Sequence, residues 1–213
     1  GDLDLVAGNF NQANRVYLNV GAGNFSDTGQ AFGTNATYAL ALGDVDGDGD
    51  LDMVTGNGGQ ANRVYLNDGA GNFSDTGQAL GTSSTFALVL GDIDGDGDLD
   101  LVVGNDGQAN RVYLNDGGGN FSDTAQTLGT NTTLALKLGD VDGDGDLDMV
   151  AGNASQANRV YLNDGTGSFS DSAQALGSNA TIALVLGDVD RDGDLDMVVG
   201  NVTANRIYSN LTN

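Results

Sequence analysis

Residues 44–52 read "DVDGDGDLD", five carboxylates in nine positions. Like charges a few ångströms apart repel one another, and each loses hydration when the chain folds around it, so the stretch opposes folding unless a cation joins it. It returns as "DIDGDGDLD" at 92–100, "DVDGDGDLD" at 140–148 and "DVDRDGDLD" at 188–196, each 48 residues after the last. A fixed period of that length is the mark of a tandem-repeat architecture, and any account of one loop has to serve all four.

The sequence between the loops repeats as well. "ANRVYLNDGAGNFSDTGQALGT" from Ala61 returns from Ala109 as "ANRVYLNDGGGNFSDTAQTLGT" and from Ala157 as "ANRVYLNDGTGSFSDSAQALGS". The register holds until residue 201, after which "NVTANRIY" is one residue shorter than "NASQANRVY". Within a unit, short runs alternate with period two between Gly, Asn, Asp and Ser, and nothing has helical periodicity. From Thr37, "TYALALGD" predicts a first strand, "LDMVTGN" from Leu51 a second, "NRVYLN" from Asn62 a third and "NFSDTGQAL" from Asn72 a polar fourth. The acidic loop joins strands one and two, and "NDGAGN" makes a Gly-rich hairpin between three and four.

A four-stranded sheet cannot bury both faces alone, so tandem sheets must stack, and four strands per 40–50 residues is the pattern of propeller blades. Calcium-binding parallel rolls, which repeat roughly every nine residues, do not fit the period. The expected fold is all-β, a β-propeller of four-stranded antiparallel blades with about 4.5 blades in the chain. It forms one repeat domain over residues 1–213: a partial blade at 1–36, blades at 37–84, 85–132 and 133–180, and a partial blade at 181–213.

The chain of 213 residues is 39% apolar, enough for a packed core, yet its formal charge is −23. Seven scattered Lys and Arg leave no basic stripe for phosphates, so nucleic acid is an unsuitable partner. With no Cys and no His, disulfides, thiolate metal sites and the usual nucleophile–base pairs are excluded. No apolar run reaches the roughly 18 residues of a membrane span, so membrane insertion is not expected. The opening "GDLDLVAGN" has no signal-peptide character, and an export signal is expected to lie outside these residues.

Oxygen ligands, high charge and a Gly-bent backbone suit Ca²⁺, which takes six to eight oxygens at roughly 2.3–2.6 Å; Mg²⁺ fits less well. Loop positions 1, 3 and 5 supply side chains: Asp44, Asp46 and Asp48, then Asp92, Asp94 and Asp96, then Asp140, Asp142 and Asp144, then Asp188, Asp190 and Asp192. Position 7, at Asp50, Asp98, Asp146 and Asp194, supplies a backbone carbonyl, and position 9, at Asp52, Asp100, Asp148 and Asp196, a further carboxylate. About four Ca²⁺ per chain are expected. An EF-hand is excluded, because its twelfth position must be acidic and here holds Thr55, Val103, Ala151 and Val199.

"LGDVDGDGDLDMVTGN" followed by "NRVYLNDGAGNF" resembles the FG-GAP/VCBS calcium-binding repeats, which build the propeller of integrin α subunits and of many bacterial secreted proteins. The resemblance covers essentially the whole chain. It implies structural loop ions on the outer edge of one propeller face. The acidic surface, the lack of disulfides and the near-identical units fit a non-catalytic recognition or adhesion module in an extracellular or cell-surface setting, from a bacterium or from an engineered or recently amplified array. One departure is Arg191 at position 4 of the fourth loop, where an outward-pointing cation is expected to weaken binding without abolishing it.

A second expectation is a lectin with repeated pockets between blades, built from Gln60, Asn62, Arg63, Tyr65 and their copies; the competing reading pairs that Arg with loop or neighbouring-blade carboxylates. Catalysis by two Asp finds little support, since the Asp clusters are claimed by metal geometry and no unique polar constellation breaks the repeat; Lys137, in place of Ala41, Val89 and Val185 on the first strand, is a lone substitution. The first unit lacks strand one and the last lacks strand four. A homodimer in which two chains complete one ring of nine or ten blades is therefore expected, with a protein or glycan ligand that the sequence leaves unnamed.

Overall fold

The computed structural model describes residues 2–210, all in strands, turns and loops. The first sheet holds β1 (Leu5–Ala7), β2 (Arg15–Asn19) and β3 (Phe25–Asp27). Three four-stranded sheets follow: β4 (Thr37–Gly43), β5 (Asp52–Asn57), β6 (Arg63–Asn67) and β7 (Phe73–Asp75); then β8 (Thr85–Gly91), β9 (Asp100–Asn105), β10 (Arg111–Asn115) and β11 (Phe121–Asp123); then β12 (Thr133–Gly139), β13 (Asp148–Asn153), β14 (Arg159–Asn163) and β15 (Phe169–Asp171). The fifth holds β16 (Thr181–Gly187), β17 (Asp196–Asn201) and β18 (Arg206–Tyr208). In every sheet the strands lie in chain order and pair antiparallel, so each unit is a meander.

The expected fourth strand is cut short. After Asp75 the chain turns through a left-handed Gly77, and the same position in the next two units holds Ala125 and Ala173, also at positive φ. The backbone bond from the Thr76 N–H to the Val64 carbonyl and an isolated bridge, Asn62 to Leu80, continue the pairing.

Successive first strands lie side by side, β4 against β8, β8 against β12 and β12 against β16, giving the inner wall of a propeller-like array. Second strands sit between neighbouring sheets, which is why β5, β9 and β13 are buried along their whole length. Close stacking depends on Gly56, Gly104 and Gly152 in those strands. A methyl group there would lie 2.9, 2.8 and 2.8 Å from the Cγ2 atoms of Thr85, Thr133 and Thr181 in the next sheet. The hydroxyls of these threonines join a buried polar line: Asn62 donates to Thr85, and Thr85 donates to Asn105.

Each junction between sheets has its own apolar cluster, and the clusters are copies. Val54, Val64 and Leu80 pack with Leu101, Tyr113 and Phe121; one repeat later Val102, Val112 and Leu128 pack with Met149, Tyr161 and Phe169. A glutamine closes each of these seams. Gln30 Nε2 donates to the Gly71 carbonyl at 2.7 Å while its Oε1 accepts from the Phe73 N–H at 3.0 Å. Gln78 holds Gly119 and Phe121 of the next sheet in the same way, and Gln126 holds Gly167 and Phe169.

The two ends of the array leave apolar side chains in solvent. Leu5, Val20 and Phe25 are exposed on the first sheet and Ile182, Val185 and Ile207 on the last, although Val112, the equivalent of Ile207, is fully buried.

The glutamine seam predicts an asymmetric mutational result. Gln78→Ala removes two hydrogen bonds across a junction and should cost about 1–3 kcal/mol in urea denaturation. Gln174→Ala, at an exposed copy whose side chain makes no such bonds among the described residues, should leave the midpoint unchanged.

Candidate metal centre

The four acidic loops join the first and second strands of four consecutive sheets, and each folds around its own carboxylates. In the loop at 44–52, Asp44 accepts the N–H groups of Gly47 and Gly49 through its two oxygens, Asp46 accepts from Asp48 and Asp48 accepts from Asp50. The same bonds recur from Asp92, from Asp140 and from Asp188. They turn the acidic side chains toward one centre. Carboxylate oxygens of Asp44, Asp46 and Asp48 lie within 4.8 Å of one another, as do those of Asp92, Asp94 and Asp96, of Asp140, Asp142 and Asp148, and of Asp188, Asp190 and Asp196. Positions 1 and 3 are thus common to every cluster, with position 5 or position 9 as the third member.

Position 9 has a second duty that the sequence reading missed. Asp52 is completely buried, and it accepts the Val45 N–H at 2.9 Å on one oxygen and the Asn67 N–H at 2.8 Å on the other. It therefore ties the loop to the third strand. Asp100 and Asp148 do the same, and Asp196 accepts from Val189 and from Asn210, two residues past β18. The loop is wired outward too, because the carbonyl of Val45 accepts from Asn115 Nδ2 in the following sheet, Ile93 accepts from Asn163, and Val141 accepts from Asn210. The legible signal for these asparagines is the Asn that ends "RVYLN" in successive units.

Position 7 stands apart. The carboxylate of Asp50 covers the place where a Cβ on Gly69 would sit, and Asp98 and Asp146 cover Gly117 and Gly165 likewise, so these three side chains lean on the hairpin of their own sheet. Arg191 is exposed and takes φ of 69°, the left-handed conformation that Gly47, Gly95 and Gly143 adopt in the other loops. Its N–H still caps Asp188, so the loop keeps its shape.

The electrostatics show what the loops lack. Burial pushes the carboxyls of Asp52 and Asp148 up and that of Asp100 up to about 6, against the pull of the two N–H groups each one accepts. At Asp196, in the end sheet, those two N–H donors prevail over desolvation and hold the carboxyl below the usual range. Asp46, Asp94, Asp142 and Asp190 are raised by desolvation first, with the charges of neighbouring aspartates adding to it. Among the described residues the ion pairs are Arg111 with Asp123 and Arg159 with Asp171, and neither touches a loop. An all-oxygen set of crowded carboxylates with no ion pair to neutralise it fits a hard divalent ion.

Those ion pairs also correct an expectation: the strand-three arginine meets an aspartate on the fourth strand of its own sheet, not a loop or a neighbouring sheet. Arg15 and Arg63 instead donate to the carbonyls of Gln30 and Gln78. The residues singled out between blades do converge. Asn62 of one sheet faces Gln108, Arg111, Tyr113 and Asp123 of the next around a cavity of about 260 Å³, and Gln156, Arg159, Tyr161 and Asp171 line the following one, of about 310 Å³.

Four segments of the chain, residues 1–55, 44–103, 92–151 and 140–199, match the family described as FG-GAP-like repeat. No curated protein matches. Among solved structures, a crystal structure of BBS1N in complex with ARL6DN, soaked with mercury, superposes with a TM-score of 0.68 at 16% identity over 98% of this chain and 61% of that one. The computationally designed Ika8 protein superposes with a TM-score of 0.65 at 16% identity over 100% of this chain and 57% of that one. The likeness is one of fold, and this chain spans about three-fifths of either structure.

Two outcomes follow from the loop geometry. Asp48→Ala should abolish calcium binding at one loop in a calorimetric titration, whereas Asp50→Ala, whose carboxylate lies off the cluster, should retain it; equal losses would contradict the geometry. The second concerns pH. A carboxyl raised from the ordinary 3.8 to about 6, as at Asp100, binds its proton more tightly when folded, so its stabilisation is present at low pH and is lost as pH rises through about 6. Calcium-free protein should melt at a higher temperature at pH 5 than at pH 7.5, and saturating calcium, which needs the ionised form, should reverse the order.

Proposed function

This chain belongs to the FG-GAP-like repeat family, and from that premise we propose that it is a non-catalytic, calcium-stabilised propeller module that works as an extracellular recognition or adhesion surface. The observation that carries the reading is the repetition of one carboxylate constellation in four loops, with a fully buried aspartate at position 9 of each and no ion pair to any loop carboxylate among the described residues. Millimolar calcium outside cells would keep such sites filled. Bound there, the ion would neutralise Asp44, Asp46, Asp48 and Asp52, and their equivalents, and so hold the loop that Asp52 ties to the sheet. The absence of His and Cys supports a binding role over a catalytic one, and no helix of the described residues is long and apolar enough to cross a membrane.

A second reading rests on the repeated cavities between sheets. Arg, Tyr, Gln and Asn around a concave site of about 260 Å³ offer the planar hydrogen-bonding groups and the ring surface that a sugar uses, and two such sites in register favour a multivalent glycan. The calcium ion then acts at a distance, by fixing the sheets between which the cavity lies.

Removing calcium tests the first reading. Each site bound only in the folded state adds about 2.7 kcal/mol at a hundredfold excess over its dissociation constant, so a chelator should lower the melting temperature sharply. Unchanged melting would reduce the loops to solvated turns. A glycan array probed with and without chelator then separates the readings: calcium-dependent sugar binding that is lost in Arg111→Ala supports the cavity, and a blank array supports a protein ligand.

A further inference from the structure

Neighbouring acidic loops are joined by a single buried asparagine. Asn115 gives its backbone N–H to Asp100 at 2.8 Å, while its Nδ2 donates to the Val45 carbonyl at 2.8 Å and to the Leu99 carbonyl at 3.1 Å. Leu99 lies in the loop of the same sheet, at 92–100, whereas Val45 lies in the loop of the sheet before, at 44–52, and gives its own N–H to Asp52. One unit on, Asn163 donates to Asp148 from its backbone at 2.9 Å and to the Ile93 and Leu147 carbonyls from Nδ2 at 2.8 and 3.1 Å, and Ile93 donates to Asp100. The line of bonds runs without a break from Asp52 through Asp100 to Asp148, across three loops.

Water is kept from this line. Asp52, Asp100 and Asp148 have no exposed surface, and Val45, Ile93, Asn115 and Asn163 are buried. The side-chain oxygens of both asparagines are buried without a hydrogen-bond partner, so these amides act across the seam through Nδ2 alone. A buried donor whose acceptor shifts is left unsatisfied, which makes movement at one loop costly at the other. The bond also lands where it matters for the cluster: Val45 stands between Asp44 and Asp46, and Ile93 between Asp92 and Asp94. A second contact runs alongside. The carboxylate of Asp98 covers Gly117 in the hairpin after β10, and from the other side a Cβ on Gly47 would lie 3.7 Å from the Gly117 carbonyl and one on Gly119 3.6 Å from the Cβ of Asp46. That hairpin is held between two acidic loops.

We propose that adjacent loops bind calcium cooperatively, with Asn115 and Asn163 as the positioning residues that carry the coupling from one loop to the next. The inference rests on the calcium reading above and adds to it that the sites are not independent. Once the carboxylates of the loop at 92–100 are gathered on an ion, Asp100 is held, and with it the end of β10 and the side chain of Asn115. Asn115 then fixes the Val45 carbonyl, so the backbone that carries Asp44 and Asp46 has less freedom left to lose when the loop at 44–52 is filled. Asn163 does the same between the loops at 140–148 and 92–100. Coupling between binding sites is reciprocal, so the order of filling is immaterial. Among the described residues no such bond joins the loops at 44–52 and 140–148 directly.

The test compares two full-length variants by calorimetric titration with calcium. One keeps the adjacent loops at 44–52 and 92–100 and carries Asp140→Ala, Asp142→Ala, Asp188→Ala and Asp190→Ala; the other keeps the separated loops at 44–52 and 140–148 and carries Asp92→Ala, Asp94→Ala, Asp188→Ala and Asp190→Ala. In the adjacent pair the second ion should bind at least about fivefold more tightly than independent sites allow, and in the separated pair it should bind as an independent site does. Adding Asn115→Leu to the adjacent pair, which removes the Nδ2 donor and keeps the backbone N–H, should return its second ion to independent binding, with the circular dichroism spectrum in saturating calcium unchanged. Should Asn115→Leu fail to fold, the comparison of the two pairs still decides. Equal cooperativity in both pairs, as calcium-driven folding of the whole array would give, or cooperativity that survives Asn115→Leu, would overturn the coupling while leaving the calcium reading in place. No calcium binding by either pair would overturn the reading and the coupling together.

Discussion

Three seams of this array are tied through the backbone of one loop residue each, Val45, Ile93 and Val141. Val45 gives its N–H to the buried carboxylate of Asp52 and its carbonyl to Asn115 of the following sheet. The first bond fixes the acidic loop to its own blade, and the second fixes it to the next. A carboxylate with no exposed surface, near the charges of Asp46 and Asp48, is costly to hold in its charged form. Calcium in the loop would therefore stabilise the seam between blades as much as the turn in which it sits.

Around that link the seams divide their work by depth. Near the inner wall, small residues let the sheets approach, and the Asn–Thr line satisfies the polar groups that close approach would otherwise strand. Further out, Val, Leu, Tyr and Phe fill the gap between sheets, and glutamine closes the rim. Removal of any one layer leaves buried polar groups or a void, so the layers are interdependent.

Much of this was legible in the sequence because it is local. Alternation and turn residues placed the first three strands of each unit to within a residue, and the spacing of Asp44, Asp46 and Asp48 marked a loop that converges on one centre. What escaped is long-range. Gln78 reads as a polar residue in a turn, and its partners lie 41 and 43 residues away in another sheet. Asp52 reads as one more ligand, although it is also the brace. The fourth strand reads as nine residues and keeps three, because the left-handed backbone at Gly77 and its copies ends the pairing. Recurrence alone, Gln at 30, 78, 126 and 174, hinted that the residue had a task.

The clusters at successive junctions are near copies, and this has a kinetic cost. Each blade presents almost the same face to its neighbour, so a unit that skips its partner and docks on the next finds nearly the same contacts. Internal interfaces then carry little information about position along the chain. Arrays of this kind are prone to mispairing between repeats and to exchange between molecules while they fold. Synthesis from one end, with each unit docking before its twin emerges from the ribosome, would supply the order that the interfaces do not encode.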